Sequence, residues 1–188
     1  MKKEERRKKE GGRWGRAQRG FTIVETLVAI TVLMMAIAGP LVVASDGLFG
    51  ADAARDQTIG AYLAQESMES IKNIRDNDLS SGASWTAGMS ACTKSSPCDA
   101  SAIDGVNGAP SVVSCVGGPC TIYVEGDGYG HTGTQVSPFQ RQFYLHDPAS
   151  TAACSSSDEC GATVEVYWNE GKTPYSIVLT SELTSTLR

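Results

Sequence analysis

The chain has 188 residues and a formal net charge of −5, enough length for one modest domain plus an appended segment. The average hides a split: residues 1–20 carry nine basic and three acidic side chains, a net +6, and the remainder carries seven basic and 18 acidic ones, a net −11. A surface of that sign repels phosphate, so direct nucleic-acid binding is not expected of the bulk of the chain, and charge segregated this sharply puts the two parts in different surroundings.

After the basic head, Phe21 to Ala44 runs 24 residues with one charged side chain, Glu25. As a helix it would extend about 36 Å, more than the roughly 30 Å of bilayer hydrocarbon. Basic residues before it place the N-terminus in the cytoplasm and everything after it outside. A secretory signal has a shorter apolar core and a small-residue cleavage site after that core. Here the small-residue junction, Gly20-Phe21, precedes the apolar run. Gly39-Pro40 is expected to weaken or kink the helix late in the span, because proline removes a hydrogen bond.

Beyond the span, Ile59, Leu63, Ser67, Ile71 and Ile74 recur at helical spacing, with Gln65, Glu69, Lys72 and Asp76 opposite. The pattern predicts an amphipathic helix with one face packed on a domain, ending near Asn77 and Ser80–Gly82. Residues 80–110, rich in Gly, Ala and Ser, read as loop. Strand-like runs follow at Ser111–Val116, Thr121–Glu125, Gln140–Leu145, Ala162–Trp168 and Tyr175–Leu183. Val164, Val166 and Trp168 alternate with Thr163, Glu165 and Tyr167, which gives one buried and one wetter face. Asn169-Glu170-Gly171-Lys172 supplies the turn into the last strand. The expected class is α+β: a long N-terminal helix, its first half membrane-spanning, packed on a small antiparallel sheet. The expected divisions are a leader at 1–20, a spanning helix at 21–44, its amphipathic continuation at 45–79 and an external β domain at 80–188.

The six cysteines fall into close pairs: Cys92 and Cys98, Cys115 and Cys120, Cys154 and Cys160. Even number, local spacing and Gly/Ser/Pro-rich spacers favour disulfide loops in an oxidising compartment, in agreement with the orientation. Other connectivities stay open. Structural zinc ligands usually sit closer together, and His131 and His146 complete no such pattern, so no metal is expected. Gly117-Gly118-Pro119 is expected to turn a hairpin that Cys115 and Cys120 clamp. Glu125-Gly126-Asp127-Gly128 reads as a turn that would hold Ca²⁺ only with further oxygen ligands. Neither histidine has a discernible Ser or Cys nucleophile beside it, and paired cysteines are unavailable for catalysis. Trp85 and Trp168 read as core or edge aromatics. No enzyme and no cofactor is expected.

Glu25 remains the anomaly, since acids inside membrane helices usually have a partner and a task. Cleavage after Gly20 would place a new α-amino group at Phe21, four residues from Glu25, and amine and carboxylate on adjacent subunits could neutralise each other. Gly20-Phe21-Thr22-Ile23-Val24-Glu25-Thr26-Leu27-Val28-Ala29-Ile30 behind a basic leader resembles the class III signal of type IV pilins and pseudopilins. Thr26 stands where many members have valine. The resemblance implies a membrane-embedded prepilin peptidase that cuts after Gly20 and methylates Phe21, with Glu25 serving assembly by facing a neighbour's N-terminus. It implies other pilin or pseudopilin subunits, an inner-membrane assembly platform and, before assembly, membrane lipid as partners. The localisation implied is a single-pass cytoplasmic membrane protein that passes into a surface or periplasm-spanning filament. The C-terminal hairpin is similar to that of minor members, so a minor prepilin is expected. The alternatives are a pseudopilin of a type II secretion or DNA-uptake system, and an extracellular binding module on a permanent anchor.

Overall fold

The computed structural model describes residues 20–106, 109–126, 128–150, 152–154 and 158–186. The basic leader up to residue 19 and Asp127 lie outside the described residues, and so does the side chain of Glu125. The chain divides into two units between Leu48 and Phe49.

One helix, α1 (Ile23–Ser81), runs without a break through Gly39-Pro40. Proline cannot donate to the carbonyl one turn back, yet its neighbours keep the helical ladder, so the expected weakening leaves no interruption. The helix begins where Thr22 caps it: the Glu25 backbone N–H donates to Thr22 Oγ1 at 3.2 Å, and the Thr26 N–H donates to the Thr22 carbonyl at 3.1 Å. It ends in a Schellman arrangement. Gly82 takes φ +75°, Ala83 N–H donates to the Asp78 carbonyl at 3.0 Å, and Gly82 N–H to that of Leu79 at 3.2 Å.

The sheet is antiparallel throughout and has seven strands: β1 (Cys98–Val106), β2 (Ala109–Ser114), β3 (Cys120–Glu125), β4 (Gly128–Gly130), β5 (Gln135–His146), β6 (Glu159–Glu170) and β7 (Thr173–Thr184). The long strand β5 organises it. One edge of β5 pairs Gln140–His146 with β6. The other edge carries two strands in succession, β3 along Gln135–Arg141 and then β1, paired only at Cys98↔Phe143. The β6–β7 ladder runs unbroken from Glu159↔Thr184 to Glu170↔Thr173 around a two-residue turn in which Gly171 has φ +61°.

Two expectations change here. Residues 80–110 are not all loop, since β1 and the start of β2 lie within them. The disulfide Cys115–Cys120 clamps no hairpin either: β2 pairs with β1, whereas β3 pairs with β4 and β5. The bond instead ties the end of one sub-hairpin to the start of the next. All three close pairs are bonded, Cys92–Cys98 and Cys154–Cys160 being the others, and no cysteine is free.

The expected helix face is the one that packs. Leu63, Ala64, Ser67, Met68, Ile71 and Ile74 are buried against Ala100, Ile122, Phe139, Phe143, Val164, Val166 and Leu183. Gly60 lets the helix close on Trp168, where an added Cβ would sit 3.0 Å from the indole ring. The Ser67 and Ser70 hydroxyls are buried without a hydrogen-bond partner.

Through this core runs one cation. Arg141, fully buried on β5, donates from Nε to Asp99 Oδ1 at 2.6 Å and from Nη2 to Asp99 Oδ2 at 3.2 Å. It also donates to the carbonyls of Ala100 (2.8 Å) and Leu63 (2.9 Å) and to the Glu66 carboxylate. Glu66 accepts in turn from the Ala102 backbone N–H at 2.9 Å. Burial by itself would lower the Arg141 pKa; the Asp99 and Glu66 carboxylates outweigh it and hold the guanidinium above its ordinary value. The charge therefore joins helix, β1 and β5.

Arg141→Met removes the partner of a fully buried carboxylate and is expected to destabilise the fold by about 3–5 kcal/mol, measured by denaturation in detergent. Ser67→Ala deletes a buried hydroxyl that bonds to nothing and introduces a better helix former. The expected outcome is a gain of about 1 kcal/mol in the same assay, and a loss would mean the hydroxyl has a bonding role.

Candidate processing and assembly site

Gly20 and Phe21 are exposed immediately ahead of α1, Phe21 at 79%. Glu25 lies in the first helical turn. Thr22 and Glu25 occupy the first and last places of a capping box, Thr-x-x-Glu, in which the acid at the third helical position also favours the positive helix end. The Thr-x-x-Glu spacing is itself a local capping signal in the sequence.

From Phe21 to Val43 every large apolar side chain is exposed, on all sides of the helix, and this stretch is long and apolar enough to cross a membrane. A helix that is apolar all round has no aqueous face, so lipid or like helices must cover it. Its few hydroxyls are self-satisfied: Thr26 Oγ1 donates to the Ile23 carbonyl and Thr31 Oγ1 to that of Val28, each at 2.8 Å. Such back-bonding removes the cost of an unpaired donor in hydrocarbon.

The β domain has its own polar cluster. His131, just after β4, turns Nε2 to Asp99 Oδ2 at 2.8 Å and Nδ1 to Asp104 Oδ2 at 3.3 Å. Asp104 also accepts from the His131 backbone N–H and, at 2.9 Å, from Thr132 Oγ1. Ser111 Oγ lies 3.4 Å from His131 Nδ1, a proximity that the sequence did not show. The geometry is still not that of a nucleophile and base, because each ring nitrogen already faces a carboxylate. His146 is engaged with the Thr163 hydroxyl at 3.0 Å and the Asp147 carbonyl at 2.8 Å.

On the opposite sheet face, Glu165 accepts from Gln142 Nε2 (2.6 Å), Tyr167 OH (2.5 Å) and Tyr144 OH (3.3 Å). Burial first, then the neighbouring Glu165 carboxylate, raises both phenols, Tyr167 to about 12. A groove of about 290 Å³ is lined by Ile59, Tyr62, Leu63, Ile103 and Tyr129, with Glu66 at its polar end. Both Glu66 oxygens are already hydrogen-bonded, so the groove offers no free acid. Among the described residues no group of histidine, cysteine and acid side chains could hold a metal ion. Of the acids in the Glu125–Gly128 turn, Asp127 and the side chain of Glu125 lie outside the described residues.

Sequence reading did not find Arg141, Asp99, Glu66 or His131, which come together from β5, β1, the helix and the segment after β4. Nothing local marks them, since the contacts among these four residues span 32 to 75 residues of chain.

An exposed Gly20-Phe21 junction thus precedes a helix long and apolar enough to cross a membrane, in a chain of the α+β class. A family model described as the prokaryotic N-terminal methylation motif matches residues 15–39. The chain therefore carries an N-terminal signal of the type IV pilin-like prepilin kind. No curated protein and no solved structure matches the chain.

Asp104 supplies a pH dependence. Burial would raise its pKa, but the His131 backbone N–H, the Thr132 hydroxyl and the His131 ring together leave it below its ordinary 3.8. A depressed carboxyl contributes stability that is present above the unfolded value and lost as pH falls through the folded one. Thermal stability is thus expected to drop as the pH goes below 3.8, and less steeply in Asp104→Asn. Identical acid profiles for the two proteins would dismiss Asp104 as a contributor.

Proposed function

We propose that the chain is a structural subunit, of the minor class, in a type IV pilus-like filament. In this reading it is cut after Gly20, methylated on Phe21, and held through Phe21–Ala44 in the cytoplasmic membrane with the β domain outside. Incorporation then moves the apolar helix from lipid into a bundle of like helices, supplied by the neighbouring subunits through an inner-membrane assembly platform. The observation that supports it is the order of features at the N-terminus. A Gly-Phe junction matched by the methylation motif is followed within one helical turn by an acid, and then by a helix exposed and apolar on every side. A plain anchor accounts for the apolar helix but gives the exposed junction no purpose. The minor class rests on the resemblance of the β6–β7 hairpin to that of minor members.

Glu25 has two possible duties, completing the capping box and neutralising a neighbour's new amino terminus, and they separate experimentally. Glutamine can complete a capping box but carries no charge. Glu25→Gln is therefore expected to leave the protein processed and in the membrane while filament incorporation falls as far as in Glu25→Ala. Normal incorporation of the glutamine variant would reduce Glu25 to a capping residue. Gly20→Val should retain residues 1–20, read by N-terminal mass spectrometry from the native host's membranes; cleavage of that variant at the same bond would refute the need for glycine there, and a mature wild-type chain that does not begin at Phe21 would refute the processing site.

A further inference from the structure

The seven-stranded sheet ends at β7, and among the described residues no strand pairs with the far side of β7. The unbroken register with β6 determines which backbone groups that free edge presents. The two-residue turn makes Glu170↔Thr173 the closing, hydrogen-bonded pair, so along β7 the odd-numbered residues bond to β6. The even-numbered residues, Pro174, Ser176, Val178, Thr180 and Glu182, direct their backbone groups outward. Pro174, which has no N–H to offer, sits in an outward position, as this phase requires.

Edge strands are normally blunted by charge, proline, bulges or shortness. Here Pro174 guards one end and Glu182 the other. Between them Tyr175 to Ser181 has no charge, and twelve consecutive pairs to β6 leave the strand without a bulge. Val178, in the middle, is 59% exposed. In a domain this acidic, an uncharged window with outward N–H groups at Ser176, Val178 and Thr180 is where another chain can approach without meeting like charge.

We propose that the β7 edge is an assembly surface: it pairs, backbone to backbone, with an uncharged edge strand of a neighbouring pilin-like subunit. The proposal rests on the filament reading and names the contact that reading leaves open. In the filament reading the chain is a minor subunit, so its neighbours are other pilin-like subunits that differ from it in sequence. Backbone pairing suits them because its hydrogen bonds do not depend on side chains. Subunits of a polar filament share one orientation, so contacts between them are heterologous, edge against a different edge. Every pairing in this sheet is antiparallel, so β7 and the other two terminal strands, β2 and β4, all run the same way. A neighbour of similar fold and orientation would therefore meet β7 in parallel.

The test uses the full chain in its native host. Val178→Pro removes one outward N–H and leaves the ladder to β6 complete, whereas Val178→Ala keeps that N–H. The expected result is an approximately tenfold lower filament-to-membrane ratio for the proline variant, with the alanine variant at the wild-type ratio and N-terminal processing unchanged in both. Because the proline variant could misfold, a photo-reactive benzoylphenylalanine at Ser176 is used separately. It should cross-link in sheared filaments to a protein whose mature N-terminus is an N-methylated residue. Equal ratios for the proline and alanine variants, cross-linking to a protein without that N-terminus, or no cross-link would each overturn the edge contact. If the wild-type chain is absent from filaments altogether, the filament reading itself falls, and the edge proposal with it.

Discussion

A buried ion pair, Arg141 with Asp99, holds this β domain together. Arg141 is fully enclosed, and a guanidinium in that position is tolerable only if its donors are met by acceptors with matching geometry. Asp99 takes two of its bonds, and the Leu63 and Ala100 carbonyls and Glu66 take the others. These acceptors come from the helix and from β1, and the donor from β5. The demand is structurally decisive because β1 joins β5 through one backbone pair only. What keeps the β1–β2 hairpin against the rest is largely side-chain chemistry: Asp99 to Arg141, the Ala102 N–H to Glu66, and Asp104 to the His131 segment. A strand that sheet pairing would barely retain is retained by satisfying a charge.

Around that centre the disulfides have a local purpose. Cys98 and Cys120 sit opposite Phe143 and Arg141, on the same edge of β5, and each is bonded to a cysteine on a connecting segment. The bonds thus pin the points where two sub-hairpins meet a common strand. Short loops closed this way restrict the unfolded chain modestly, by roughly 2 kcal/mol each in the chain-entropy account. That matters in a domain whose hydrophobic core is formed by one helix face and one sheet face.

The helix answers to two different solvents. Its first part is apolar on every side and carries its few hydroxyls bonded to its own carbonyls; from Gly60 onward it is amphipathic and buries one stripe. Glu25 stands at the capped beginning, where a helix N-terminus favours an acid, so the position is suited to a carboxylate before any partner is considered.

Much of this was determined by the sequence alone, because the signals involved are local or periodic. The apolar run, the helical stripe at Ile59, Leu63, Ser67, Ile71 and Ile74, the alternation along β6, the close cysteine pairs and the Gly20-Phe21 junction with Glu25 can all be read within a few turns or strands of chain. Five strands were legible for that reason, although β5, β6 and β7 extend beyond their apolar centres because ladders propagate into polar residues once pairing has begun. Only the tertiary structure decided the rest. Strand β1 begins Cys98-Asp99-Ala100-Ser101, and aspartate is disfavoured in strands unless something distant compensates it. Here the compensation is Arg141, 42 residues away. The same distance conceals the Glu66 and His131 contacts and the separate pairings of β2 and β3. Local propensity is a property of neighbours in sequence, whereas the stability of a buried charge depends on which groups the fold brings within hydrogen-bonding reach.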